Sequence, residues 1–459
     1  MDTNRTASEV KAGNIGGRWG GNFPTFDGGH SLRLVLWNIV FVLFLLSLLG
    51  LLIRHLFSTD LGGTSWLINY QGGFVRRGLA GEILLFFATN FSVDVQWTIK
   101  IFCLFCYAAV SAFFIKSFLN RGYSLYILPI CFFLGGPVLG GFWATKDLLF
   151  ICIFIPILWV YGKDHLPLSA KVLIINTLAA FMILNHEVFA FIALPILFLL
   201  LFNLYKNNGV FRSAFLALLL LSPSILCFLL CVLHRGTPGT VSAILASWAP
   251  LLGTIATKTG EVPVAIAALG WATDDAFRFH IQVNFLSRDW GIGSLLAWTV
   301  TFPLVYYIAS NALLAFRKCE HDFTEHHKTV LSSLLFFQLL CLFPVFALLS
   351  CDYLRVIFYW TASSFALFLL VPREKIESLF PGILFHFVKH FNNVLAHVLP
   401  PSKTSLAFLM LFLGITPVFF NIIDAFRTTM FYNVLSILSF PLMGLFGIEH
   451  GTIPVPGSP

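Results

Sequence analysis

Long apolar runs alternate with short polar breaks along most of this chain. The first run, Leu34–Ile53, has about the ~20 residues that a helix needs to cross a bilayer. It begins too late, and lacks the small-residue cleavage site, for a removable signal peptide. Eleven more runs follow: Trp97–Ile115, Ser124–Phe142, Leu148–Gly162, Val172–Leu184, Val188–Tyr205, Ser213–Leu233, Gly291–Phe316, Thr329–Ser350, Val356–Val371, Ser405–Ile423 and Met430–Phe446. The pattern predicts an all-α, polytopic membrane bundle of about twelve spans over residues 34–448. A polar tail (1–33) precedes it and a short tail (449–459) follows. Ile83–Phe91 is too short to span and is expected in the interface. So are Val241–Ile255 and Val262–Ala272, in the long connection 234–290. Ile376–Leu399 reads as an amphipathic helix along the membrane.

Composition narrows this picture. Apolar residues make up 58% of the chain and charged residues 11%, with 52 Phe. That charge content excludes an ordinary soluble domain, and excludes disorder more firmly. With the N-terminus placed inside, the inner segments collect the whole +7 net charge and the outer segments balance. This is the positive-inside pattern, with Lys116, Arg121, Lys163, Lys171, Lys206, Arg212, Arg317 and Lys318 as markers. The positive charge therefore follows topology and gives no reason to expect nucleic acid.

The basic residues left outside are the informative ones. The first outer loop (54–96) contains Asp60 and then Asn69-Tyr-Gln-Gly-Gly-Phe-Val-Arg76-Arg77-Gly78-Leu-Ala-Gly81-Glu82. Two adjacent arginines on that side oppose the orientation rule. A guanidinium fork matches phosphate oxygens two at a time. The surrounding glycines permit close backbone approach to a ligand. Arg76 and Arg77 thus suit a phosphate or pyrophosphate cradle, against a plainer role on lipid headgroups or in a salt bridge to Glu82. Later outer breaks hold Lys146-Asp147, His186-Glu187 and Asp352-Tyr-Leu-Arg355, each of which also admits a local ion pair or interface anchoring. Asp274 and Arg278 (i, i+4) suit a surface ion pair equally well. Taken together, these groups form one set on one membrane face. Asp60 and Glu187 are the candidate bases, and Arg76, Arg77, Glu82, Lys146, Asp147, His186, Asp352 and Arg355 the candidate binding residues.

Other motifs lead nowhere. Cys103 and Cys106 form a CxxC without a second pair, and most cysteines sit in apolar runs as small hydrophobes. His386 and His390 lack a completing carboxylate, and His326-His327 lies in a charged inner loop. No metal and no cofactor is implied. Asn90-Phe-Ser92 fits the glycosylation acceptor pattern, a frequent tripeptide.

The Gly73-Phe-Val-Arg-Arg-Gly78-Leu string, with Glu82 after it, resembles the first outer loop of a group of poorly characterised bacterial polytopic membrane proteins. Lys146-Asp147, His186-Glu187 and Asp352-Tyr-Leu-Arg355 are similar to short motifs of the same group. In architecture such proteins resemble the multi-span glycosyltransferases of the GT-C type and the O-antigen polymerases. The resemblance implies a glycosyltransferase or repeat-unit polymerase in the bacterial inner membrane. Its substrate would be a polyprenyl-(pyro)phosphate-linked sugar, and its partners other proteins of surface-polysaccharide assembly. A transporter or flippase of lipid-linked sugars, and a non-catalytic scaffold, are the alternatives. A transporter would use broken helices, for which Pro129, Pro137, Pro156, Pro195, Pro303 and Pro344 offer breaks.

Overall fold

The computed structural model describes residues 31–58, 63–130, 132–252, 262–281, 302–313, 325–345 and 353–398. It is 82% helical, with no strand among the described residues. Among the described residues, four helices are long and apolar enough to cross a membrane: Val95–Asn120, Leu168–Asn185, Val210–Leu233 and His326–Pro344. Shorter apolar helices pack among them. The expected spans Ser405–Ile423 and Met430–Phe446, residues 1–30 of the first tail, the whole second tail and most of Gly291–Phe316 lie outside the described residues.

Helix α1 (Ser31–Phe57) carries no acidic residue in its first turn and runs to the polar break before the first loop. Its final carbonyls need donors. The Lys100 ammonium supplies them, reaching Leu56 O at 2.9 Å and Ser58 O at 2.5 Å. Lys100 lies on α3 (Val95–Asn120), whose start is capped by Asp94 accepting from the Trp97 N–H. Between them α2 (Leu79–Phe91) takes in the short segment expected in the interface and extends it back to Leu79. The expected span Ser124–Phe142 is broken. A tight helical turn, Leu125–Ile130, leads into α4 (Phe132–Leu139), because Pro129 and the Gly135-Gly136-Pro137 sequence weaken a continuous helix there.

The core is an up-and-down set of helices: α5 (Asp147–Tyr161), α6 (Leu168–Asn185), α7 (Phe189–Leu204), α8 (Val210–Leu233), α13 (Glu325–Pro344) and α14 (Tyr353–Leu370). α5 and α7 run unbroken through Pro156 and Pro195. In α8, Pro223 deprives the Leu219 carbonyl of its helical donor, and the Ser222 hydroxyl takes its place at 2.8 Å. Polar groups join helices where apolar side chains gain little over lipid. Asn176 of α6 donates to Leu220 O at 2.8 Å and accepts from the Ser224 hydroxyl at 2.7 Å. Trp360 of α14 donates to Leu335 O of α13 at 2.6 Å. Outward faces stay apolar, as with Ile39, Leu45, Leu46 and Leu49 on α1 and Phe215, Leu218 and Leu226 on α8. Such faces suit hydrocarbon, and water would make them an aggregation hazard.

Alternation gives the bundle two chemically distinct ends. One holds the loop 63–78, the breaks before α5 and between α6 and α7, and the start of α14. The other holds Lys116, Arg121, Lys163, Lys171, Lys206 and Arg212, the described members of the basic set expected inside, together with Arg373 and Lys375. On the first end, α9 (Pro238–Leu252) and α10 (Val264–Ala267) cover the loop. α11 (Thr273–Ile281) follows, and a helical stretch over 302–313 (α12) leads toward α13. Beyond α14 the amphipathic segment is two helices, α15 (Arg373–Glu377) and α16 (Gly382–Val398).

Candidate functional site: a buried charge cluster at one end of the bundle

The loop 63–78 owes its shape to contacts with distant chain. Trp66 Nε1 donates to Ala144 O at 2.9 Å, Trp248 Nε1 of α9 donates to Leu67 O at 2.7 Å, and Asn69 Nδ2 donates to the Ser247 hydroxyl at 2.8 Å. Glu82 holds the loop from inside, accepting from the Tyr70 N–H at 2.9 Å and the Gln71 amide at 2.8 Å. This corrects one expectation: Glu82 neither pairs with the arginines nor joins the cluster. Of the glycines beside the arginines, Gly72, Gly78 and Gly81 are packed tightly, whereas Gly73, at φ 95°, has open space where a Cβ would stand. A Cβ on Gly81 would fall 1.9 Å from Ile68 O, and one on Gly78 would fall 2.2 Å from the Tyr70 ring. A Gly81→Ala variant should therefore displace the whole loop. It is expected to lose about 1–3 kcal/mol of stability, measurable as a lower melting temperature in detergent.

The loop delivers Arg77 in a left-handed backbone conformation, φ 68°. A non-glycine residue pays for that conformation and holds it only when its surroundings compel it. Here Lys146 Nζ grips the Arg77 carbonyl at 2.8 Å, and reaches Asn185 O at 3.4 Å. The Arg77 fork then closes on Glu187 through two nitrogens, Nε at 2.8 Å from Oε2 and Nη2 at 2.5 Å from Oε1. Arg76 Nη1 stands 3.5 Å from the same carboxylate. Its backbone N–H donates to His234 O at 3.2 Å, and its Nε is buried without a hydrogen-bond partner among the described residues.

Glu187 sits in the break between α6 and α7 beside His186. The imidazole Nδ1 accepts from the Val188 N–H at 3.3 Å and faces Glu187 at 3.6 Å. Burial pushes the His186 pKa well below its ordinary value, and Arg77 lowers it further, so the ring is neutral. Burial acts to raise the Glu187 carboxyl. The charge and hydrogen bonds of Arg77, with the charge of Arg76, overcome it and hold the group well below the usual carboxylate range. Burial lowers the Arg76 guanidinium too, with Arg77 and Arg235 adding to it and Glu187 opposing.

Lys146 and Asp147 are each only 1% exposed. They do not pair with each other. Lys146 lies 5.7 Å over the Trp66 ring, and burial, then Arg77, lower its pKa to about 7. Asp147 opens α5, where a carboxylate suits the helix N-terminus. It accepts from the Thr145 hydroxyl and from Arg355 Nη1 at 3.4 Å. Arg355, at the start of α14, also lies within electrostatic range of His186.

Seven of the ten candidate residues thus meet: Arg76, Arg77, Lys146, Asp147, His186, Glu187 and Arg355. Glu82 supports the loop. Asp60 and Asp352 lie outside the described residues. Asp274 and Arg278 are on α11. Sequence reading passed over Trp66, Asn69, Trp248 and Arg235. The first three make contacts across 78 to 181 residues, a separation that no local pattern reports. Arg235 had a usable signal, as another basic residue on the same side as Arg76 and Arg77. Around the cluster, four guanidinium groups (Arg76, Arg77, Arg235, Arg355) face two carboxylates (Asp147, Glu187), with Lys146 in addition. The excess is cationic and suits an anion. The described residues contain no group of three or more His, Cys, Asp and Glu able to hold a metal. Compared with family models, curated proteins and solved structures, the chain matches none.

Proposed function

We propose that this chain is an integral-membrane glycosyltransferase or repeat-unit polymerase of surface-polysaccharide assembly. It uses a polyprenyl-(pyro)phosphate-linked sugar at the outer face of the bacterial inner membrane, with about twelve spans and the N-terminus inside. The observation that carries the reading is the Arg77 fork closed on Glu187, inside a buried cluster with excess positive charge. A fork that fits a carboxylate also fits two phosphate oxygens. On this reading Glu187 holds the place that the donor's phosphate takes on binding.

The chemistry follows from that exchange. Once phosphate occupies the fork, Glu187 loses its strongest cationic partner while staying buried, and its affinity for a proton rises. It then accepts the proton of the acceptor hydroxyl as that oxygen bonds to the sugar's anomeric carbon. The bond from that carbon to the phosphate oxygen breaks, and Arg76 and Arg77 stabilise the departing phosphate.

The test is purified protein with a labelled lipid-linked sugar donor. New glycosidic product supports the proposal. Movement of the lipid alone, or neither, rejects it. The pH response gives a second check. Lys146 is charged below about pH 7 and neutral above it. A phosphodiester headgroup keeps its single charge throughout, so its binding should weaken as pH rises from 6 to 8. Lys146→Met should bind it weakly and with no such step, as read by titration with a fluorescent lipid phosphate.

A further inference from the structure

The opposite end of the bundle holds a cationic cavity, separate from the charge cluster. It lies where α3 and α14 end and α13 begins, and has a volume of about 270 Å³. Arg121, His327, Phe368 and Arg373 line it, with the backbone from Leu369 to Pro372 as its floor. Arg121 follows the last residue of α3. One of its Nη2 N–H groups caps α14 at Leu369 O, 2.6 Å away, and the guanidinium lies 5.8 Å over the Phe368 ring. Among the described residues this is the one hydrogen bond of a guanidinium that carries five donors.

Arg373 is held from the other side. Its Nε donates to Glu377 Oε1 at 2.6 Å, and its Nη1 meets His327 Nε2 at 3.1 Å. Glu377 is shared with His326 at 2.7 Å and is not among the cavity's lining residues. Among the described residues, the lining therefore contains two guanidinium groups and no carboxylate. Capping explains one hydrogen bond of Arg121 and none of Arg373. The cavity also lies at the level where these helices end, which is where lipid headgroups stand. Leu119 and Leu125, on either side of Arg121 in the chain, are exposed apolar side chains able to meet an acyl chain.

We propose that this cavity binds a phosphate group, presented by the headgroup of an anionic phospholipid or as free phosphate, between Arg121 and Arg373. Basic pockets between helix ends are suited to such heads.

The full-length protein in neutral detergent is titrated with dioleoylphosphatidylglycerol, dioleoylphosphatidylcholine and inorganic phosphate, and bound molecules are counted by native mass spectrometry. Phosphatidylglycerol should be retained over phosphatidylcholine. Arg121→Gln and Arg373→Gln should each lower retention about tenfold, the loss of one charge-assisted hydrogen bond. Arg121→Lys, which keeps the charge and the cap, should lower it less and controls for folding. Arg212→Gln, a basic residue at the same end that does not line the cavity, should leave this retention unchanged. If inorganic phosphate binds as well as the lipid and with the same arginine dependence, the site stands with free phosphate as its ligand. Binding that ignores both arginines, or no preference for either phosphate anion over phosphatidylcholine, overturns it.

Discussion

Arg77→Ala is expected to cut glycosyl transfer by about 100- to 1,000-fold, the usual loss when one donor to a developing anion is removed. The variant should still insert in the membrane. Its folded state should be weaker by about 3 kcal/mol, because Glu187 stays buried with Arg76 as its remaining arginine, 3.5 Å away. Two companion variants separate the causes. Arg77→Lys keeps the charge but presents one point where the guanidinium presents Nε and Nη2 together, so activity should stay close to that of Arg77→Ala. Arg77→Gly relieves the backbone at φ 68° and should melt above Arg77→Ala by about 1 kcal/mol while being equally inactive. A well-folded Arg77→Ala protein with normal turnover would remove the arginine from the reaction altogether.

Glu187→Gln should separate binding from turnover. If the carboxylate holds the fork in place of phosphate, its neutral isostere competes less. Affinity for a polyprenyl phosphate probe should then rise by about tenfold, a fraction of the Coulomb energy between unit charges at this distance. Product formation should fall by about 100- to 10,000-fold, because the amide takes no proton from the acceptor. A purely structural carboxylate predicts the reverse on the first measurement, since a collapsed pocket binds its ligand more weakly. Probe binding and product formation on the same preparation decide between the two.

The sequence made the class of fold plain and part of the site legible. Apolar runs bounded by Lys and Arg mark helices with little ambiguity, and α3, α6 and α8 lie where the runs predict. The span Ser124–Phe142 broke because hydropathy registers apolar side chains and is nearly blind to what Pro129 and Pro137 do to the backbone. Arg76, Arg77, Lys146, His186 and Glu187 stood out because ionisable groups beside apolar runs are costly, and cost points to purpose. Their partnerships were not legible. Lys146 was read beside Asp147 and in fact holds a carbonyl 69 residues away, while Asp147 takes Arg355 from 208 residues away. Glycine near arginine suggested ligand approach. The structure assigns Gly78 and Gly81 to tight packing, a demand set by Tyr70 and Ile68 that only three-dimensional contact reveals.

The pairing of Arg77 with Glu187 also sets an order of events during biogenesis. The carboxylate is 110 residues downstream of the guanidinium, so at about 5–20 residues per second the ribosome completes the twin cations roughly 6–20 s before their counterion exists. Through that interval the nascent segment must shelter two bare charges at the translocon or on lipid phosphates. Losing Glu187's charge would then impair not only the finished pocket but also the moment at which its first half is released from those temporary hosts.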